Sequence, residues 1–290
     1  MANILNSQPH SDPVEIAPDI WWVGEFDTKL QCNPYLIIGS HFHVLIDSGS
    51  RPQFPRILMK ILKLGIAPQT IGALVYQHYD PDLCGNIVDF VDIINSQNLK
   101  IISDQINLPF ISHYAPHADL LSTQSINHSI VMDCDKKIQF YNTPHSHSAG
   151  AIVTLEESTK TLFSSDLFGS HKSSAKTFLT AYSDCRKVSN SCPQHSSNSS
   201  TETLCGQREI DDLIEFHRVQ IPCTKALMFA LDVVEKIPFE RIAPQHGSII
   251  PTRQIADSII QDLRNSGDFG IDRILNHHLH DDSTRGMRFS

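Results

Sequence analysis

The stretch Gln77-His78-Tyr79-Asp80-Pro81-Asp82-Leu83-Cys84-Gly85-Asn86 most restricts what this chain can become. It sets a histidine and two carboxylates at alternate positions. In front of it stands Ile71-Gly72-Ala73-Leu74-Val75-Tyr76, an apolar run that reads as a buried strand. Behind it, Ile87, Phe90, Val91 and Ile94 share one face of a helix over 86–95. A strand end, a loop of ligand-type side chains and a helix start make a natural place for a metal ion. Alternate residues leaving a strand point to one side, so His78, Asp80 and Asp82 converge only if the loop curls. Pro81 and Gly85 permit such a curl.

The same design recurs downstream. Residues 137–142 alternate as a strand and run into Thr143-Pro144-His145-Ser146-His147-Ser148-Ala149-Gly150. Residues 151–155 and 161–165 form a hairpin whose second strand delivers Asp166, followed by Gly169. A short strand at 241–243 leads into Pro244-Gln245-His246-Gly247. His78/Asp80/Asp82, His147, Asp166 and His246 thus each follow a strand, with Gly85, Gly150, Gly169 or Gly247 within three residues. Glycine supplies the torsions a tight ligand loop requires. Asp47-Ser48-Gly49, at the end of another strand, reads as support for these ligands rather than a plain turn.

Around the ligand loops the chain alternates strands and helices. Strands are expected at 14–16, 20–24, 32–39, 43–49 and 100–103, and helices at 54–64, from Arg208 to near Pro222, at 225–237 and at 252–264. His41 and His43 read as ordinary strand residues. Residues 105–130 show no clear period, and His113, His117 and His128 there lack a nearby carboxylate companion. Residues 1–13 read as a loose lead-in, 183–207 as a mobile insertion rich in Ser, Asn and Cys, and 266–290 as a polar tail. Cys185, Cys192, His195 and Cys205 in the insertion do not match a zinc-knuckle spacing.

The segments TPHSHSAGAIVTLEESTKTLFSSDLFGS at 143–170 and IAPQHGSII at 242–250, with the motif at 78–82, resemble the metallo-β-lactamase superfamily. Within it they resemble the flavodiiron proteins and the related stand-alone oxygen-binding di-iron proteins. The resemblance covers 14–265 apart from 183–207. It implies an α/β fold, the metallo-β-lactamase αββα sandwich, with two mixed β-sheets flanked by helices. It also implies a ligand set: His78, Asp80 and His147 on one metal, Asp82 and His246 on a second, and Asp166 bridging. The family places a further histidine directly after the second aspartate. Leu83 stands there instead, which implies an open or weakly held second position that a histidine at 83 would strengthen. Cys84 and His145 are not expected to substitute, since a thiolate beside an oxygen-reactive iron would oxidise.

Three aspartates and three histidines suit two iron ions, with manganese or zinc not excluded by the donor set. Zinc would only activate water. The resemblance leaves two readings open: binding and sensing of dioxygen, or reduction of dioxygen or nitric oxide with electrons from a separate protein. The flavodoxin domain of flavodiiron enzymes, and hence FMN, is not expected in this chain, which favours binding. A metal-dependent hydrolase fits less well, because Asp80 stands where hydrolases carry histidine. A separate electron-transfer or signalling partner and a homodimer are further implications.

Composition limits the alternatives. The formal net charge is −9 with no basic tract, which argues against nucleic acid and anionic membrane. No apolar run reaches a membrane span, and the polar N-terminus lacks a signal-peptide pattern, so a cytoplasmic protein is expected. The seven cysteines form no CxxC pair and read as free thiols.

Overall fold

The computed structural model describes residues 12–25, 32–132, 136–170, 177–179 and 201–280 of the chain, with the side chains of 201–209 and 276–280 excepted. Two sheets stack face to face. The first has seven strands in sequence order: β1 (Val14–Ala17), β2 (Ile20–Trp22), β3 (Tyr35–Ile38), β4 (His43–Ile46), β5 (Ile71–Val75), β6 (Lys100–Ser103) and β7 (Asp119–Ser122). Neighbours are antiparallel from β1 to β4 and parallel from β4 to β7. The second has five strands: β8 (Ser129–Val131), β9 (Lys137–Asn142), β10 (Ile152–Glu156), β11 (Thr161–Phe163) and β12 (Arg241–Ala243), in the order β12-β11-β10-β9-β8. Only β11 and β12 are parallel here.

Side-chain alternation explains the layering. Along β3 and β4, Tyr35, Ile37, Val44 and Ile46 enter the space between the sheets, where they meet Phe140, Ile152 and Phe163. Leu36 and Leu45 point the other way, onto α1 (Phe54–Lys63), α2 (Pro81–Cys84) and α3 (Ile87–Ile94) through Ile57, Ile61, Leu83 and Phe90. After α4 (Leu108–Ile111), among the described residues, α5 (Thr201–Gln220), α6 (Thr224–Glu235) and α7 (Arg253–Asn265) cover the second sheet, and α8 (Ile271–His280) follows them with Ile271, Ile274 and Leu275 exposed. Val153, Leu155 and Leu162 meet Leu213, Leu231 and Ile260 there. Each of these fully buried aliphatic side chains contributes about 1.5–3 kcal/mol. The architecture is α/β, two mixed sheets between helical layers.

The unpatterned stretch 105–130 contains α4, β7 and much of β8. The two strands are half-exposed edges, so they lack the apolar alternation that marks their neighbours. Residues 1–11 and 183–200 lie outside the described residues. Residues 201–207, expected within the insertion, instead open α5. The expected tail contains α8, whose Asp272 carboxylate accepts from the Thr224 backbone N–H at 2.8 Å and so caps α6.

Candidate metal centre

The strand ends of both sheets that carry ligand-type residues open on one edge. As β5 ends, Gln77 donates through its backbone N–H and side-chain amide to the Asp47 carboxylate, each at 3.1 Å. Its carbonyl accepts from Ile152 of the opposite sheet at 3.0 Å. Burial pushes Asp47 up to about 7, against the lowering effect of the Gln77 donors. Ser48 donates to the Leu83 carbonyl from its backbone N–H at 3.0 Å and its hydroxyl at 2.9 Å. The segment 47–49 therefore supports the ligand loop, as expected.

The loop curls by forming α2, with Pro81 at its first position and Asp80 as N-cap. The Asp80 carboxylate makes no capping bond and turns to the centre instead. His78, Asp80 and Asp82 offer ligand atoms within 4.8 Å of one another, and so do His78, His147 and Asp166.

The six residues fall into two sets around Asp166. His147 Nε2 lies 2.8 Å and His78 Nε2 3.6 Å from Asp80 Oδ2. On the other side His246 Nε2 lies 3.0 Å from Asp82 Oδ2. Asp166 turns Oδ2 toward His147 at 3.7 Å and His78 at 3.9 Å, and Oδ1 toward His246 at 3.6 Å. Oδ1 is buried with no hydrogen-bond partner among the described residues. The two sets also differ in access: side-chain exposure is 32% at Asp80 and 22% at His147, against 16% at Asp82 and 4% at His246.

Outer contacts fix the imidazoles. His78 Nδ1 meets the Ser165 hydroxyl at 2.8 Å, and His147 Nδ1 faces the Gln220 carbonyl at 3.3 Å. With Nδ1–H donated outward, Nε2 faces inward and, on losing its proton, presents the lone pair that a metal requires. Burial alone would lower His78 and His147, but Asp80 and Asp166 reverse this, raising His78 and taking His147 to about 9. Against the upward push of burial, His147 and His78 pull Asp80 down, and His246 does the same for Asp82.

Backbone strain gathers here as well. His147 (φ 106°), Ser165 (φ 55°) and Phe168 (φ 67°) all occupy torsions that L-residues avoid. Of the four loop glycines only Gly247 has positive φ, at 82°. Gly150 is needed for close approach instead, since a Cβ there would lie 2.3 Å from Asn107 Oδ1.

Leu83 is fully buried in the helix-facing apolar layer. A histidine at 83 would have to leave that layer to strengthen the second position. Cys84 joins the same layer, its thiol directed at the His78 carbonyl at 3.4 Å and its pKa raised by burial. His145 is exposed. The side chains of Cys185, Cys192, His195 and Cys205 lie outside the described residues.

Three supports were not legible in the sequence. Asn33 donates its amide to the Pro244 carbonyl at 3.0 Å and the Gly247 carbonyl at 2.9 Å, gripping the His246 loop. Gln220 contributes a backbone carbonyl, which no sequence pattern reveals. His217, wholly buried, accepts from the Phe168 N–H at 2.9 Å. Its only signal was an imidazole on the apolar stripe 210, 213, 214 of a helix.

Two mixed sheets between helices, with histidines and aspartates collected at one strand edge, define a β-lactamase-fold protein with a metal-type site. The model of the ODP family beta lactamase matches residues 30–247, and the chain belongs to that family. It is 23% identical over 253 residues to the type A flavoprotein fprA of Rhodobacter capsulatus, covering 82% of this chain and 52% of that protein. The chain thus spans about half of that relative's length. It is 26% identical over 182 residues to a putative diflavin flavoprotein A 2 of a Nostoc species, covering 58% of this chain and 30% of the other. Among solved structures, one described as the peroxy diiron species of the chemotaxis sensor ODP is similar at TM-score 0.69 and 20% identity, covering 89% of this chain and 94% of that one. The rubredoxin oxygen:oxidoreductase of Desulfovibrio gigas is similar at TM-score 0.69 and 17% identity, covering 87% and 61%. Both likenesses concern the fold.

Proposed function

We propose that this cluster holds two iron ions and that the chain binds dioxygen there, as a sensor. The observation that carries the reading is the Asp166 carboxylate, whose two oxygens face separate histidine sets while one oxygen is buried without a hydrogen-bond donor among the described residues. A buried carboxylate oxygen left bare is costly unless a cation meets it. The donor set of imidazole and carboxylate suits iron. A solved structure described as a diiron chemotaxis sensor matches nearly end to end, which supports the sensing reading.

In this proposal His78, Asp80 and His147 hold one ion, Asp82 and His246 the other, and Asp166 joins them. When bound, a pair of iron ions supplies redox-active positions at which a diatomic ligand is held. The protein determines access and orientation. The half-exposed Asp80 and His147 form the approach, and the Phe216 ring, 5.8 Å from the His246 ring, screens the inner half from water. A second reading, reduction of dioxygen or nitric oxide with a separate electron donor, is favoured by the likeness to a rubredoxin oxygen:oxidoreductase and to flavoproteins.

Anaerobic loading with ferrous iron, metal analysis, and an absorption spectrum before and after air test the proposal. The expected result is two irons per chain and a visible band that appears with air and persists. Fewer than two irons, or no band, would overturn it. Sustained consumption of dioxygen or nitric oxide with a reduced rubredoxin would select the second reading.

A further inference from the structure

We infer that the last turn of α5 is the positioning element of the centre, and that His217 is the residue through which it sets the carboxylate of Asp166. The inference rests on the di-metal reading above and adds a residue to it.

Three side chains or carbonyls of this one turn each meet a different ligand loop. The Gln220 carbonyl faces His147 Nδ1 at 3.3 Å. The Phe216 ring packs on the His246 ring, with centroids 5.8 Å apart. His217 Nε2 accepts the Phe168 N–H at 2.9 Å, two residues beyond Asp166. Both sets of ligands, and the carboxylate between them, are thereby referred to a single rigid helix end.

Packing alone does not account for His217. Its position continues the apolar stripe of Ile210, Leu213 and Ile214, where an aliphatic side chain would complete the layer. Instead a fully buried imidazole stands there, with both ring nitrogens used. Nδ1–H donates to the Leu213 carbonyl at 2.7 Å, which leaves Nε2 as a pure acceptor. The turn it grips is strained, and its other bonds hold Ser164, Ser165 and Leu167: the Leu167 N–H to the Ser164 carbonyl at 3.1 Å, the Ser164 hydroxyl to the Leu167 carbonyl at 2.6 Å and the Gln245 N–H to the Ser165 carbonyl at 2.8 Å. Ser165 and Phe168 have φ of 55° and 67°, and the Gly169 N–H bonds the Asp166 carbonyl at 2.9 Å. A Cβ on Gly169 would lie 2.9 Å from the Phe216 ring, so that ring packs directly against the backbone of the turn. Without the acceptor, Phe168 would lose the bond that holds its left-handed torsion, and Asp166 would no longer present one oxygen to each side.

The test uses the full chain loaded with ferrous iron, comparing wild type with His217→Leu, His217→Gln and His217→Asn. Gln extends an acceptor oxygen to the reach of Nε2; Asn falls short. Iron affinity, iron stoichiometry and the Mössbauer signature of a coupled pair are read, with circular dichroism and melting as fold controls. Leu and Asn variants should bind iron about tenfold to a hundredfold more weakly, with a loosened coupling signature, while Gln stays near wild type. Wild-type affinity and coupling in a folded Leu variant would overturn the inference. If the Leu variant does not fold, Gln against Asn decides: equal iron affinity and coupling in those two would equally overturn it. A wild type that fails to take two irons overturns the di-metal reading instead, so the two failures are separable.

Discussion

Asp82 and Leu83 are neighbours in sequence, but one reaches His246 and the other is sealed in the layer under α1 and α3. Residue identity at 83 is therefore a matter of packing. Leu83→His should cost about 1–3 kcal/mol, the usual penalty for a buried polar group with no partner, and leave iron content unchanged. Denaturant midpoints and metal analysis check both halves of the prediction; a gain of iron would show that the loop turns over. Asp166 is the opposite case. Asp166→Ala should remove both ions, because its two oxygens face different histidine sets, whereas Asp82→Ala should remove one. Metal analysis of the pair separates a joining role from a one-sided one. The ligand-type residues themselves were legible, since each follows an apolar strand and precedes a glycine. The groups that aim them were not. Asn33 and His217 lie far from the ligands in sequence, and the Gln220 contribution is a backbone carbonyl.

Elements were readable where burial imposed a period. Strands β3, β4 and β5 and helices α1, α3, α6 and α7 have one or two fully apolar faces, and the sequence shows them. Strands β7 and β8 are short edges with half-exposed side chains, so no alternation marks them. Helix α5 was only half visible, because its first two turns are polar and its decisive residue breaks the apolar stripe. That residue also gives α5 a pH dependence. Burial, offset in part by the Leu213 carbonyl, lowers His217 from 6.5 to about 4. The folded state thus keeps the neutral ring, while the unfolded chain takes up a proton below pH 6.5. The contribution is complete above pH 6.5 and declines as the pH falls toward about 4, by about 3 kcal/mol in all. Stability measured between pH 7 and pH 4 should therefore fall more steeply for wild type than for His217→Leu. Parallel slopes would mean that the ring is protonated in the folded protein.

At the scale of the molecule, the centre lies on the seam between two sheets whose shared layer is apolar, so its geometry depends on a few polar stitches across that seam. Gln77 ties β5 to the start of β10. Asn107, beside α4, donates to the Ser103 hydroxyl at 2.9 Å and the Gly150 carbonyl at 2.7 Å, tying the first sheet to the His147 loop. Asn33, ahead of β3, grips the carbonyls of Pro244 and Gly247 on either side of His246 and accepts from the Trp22 indole at 2.8 Å. The last two stitches serve opposite halves of the centre, and this makes them separable. Asn33→Ala removes the acceptor that meets the Trp22 indole and one donor to each of two buried carbonyls, of which Pro244 still accepts from the Tyr35 hydroxyl at 2.7 Å, at a cost of about 1–3 kcal/mol. It should release the ion on the Asp82/His246 side while the Asp80/His147 side retains its own. Asn107→Ala should reverse that order. The measurement is iron remaining per chain against increasing chelator, with Mössbauer spectra showing which environment survives. Identical release profiles for the two variants would mean that the sheets hold the centre as one block, and that neither stitch acts locally.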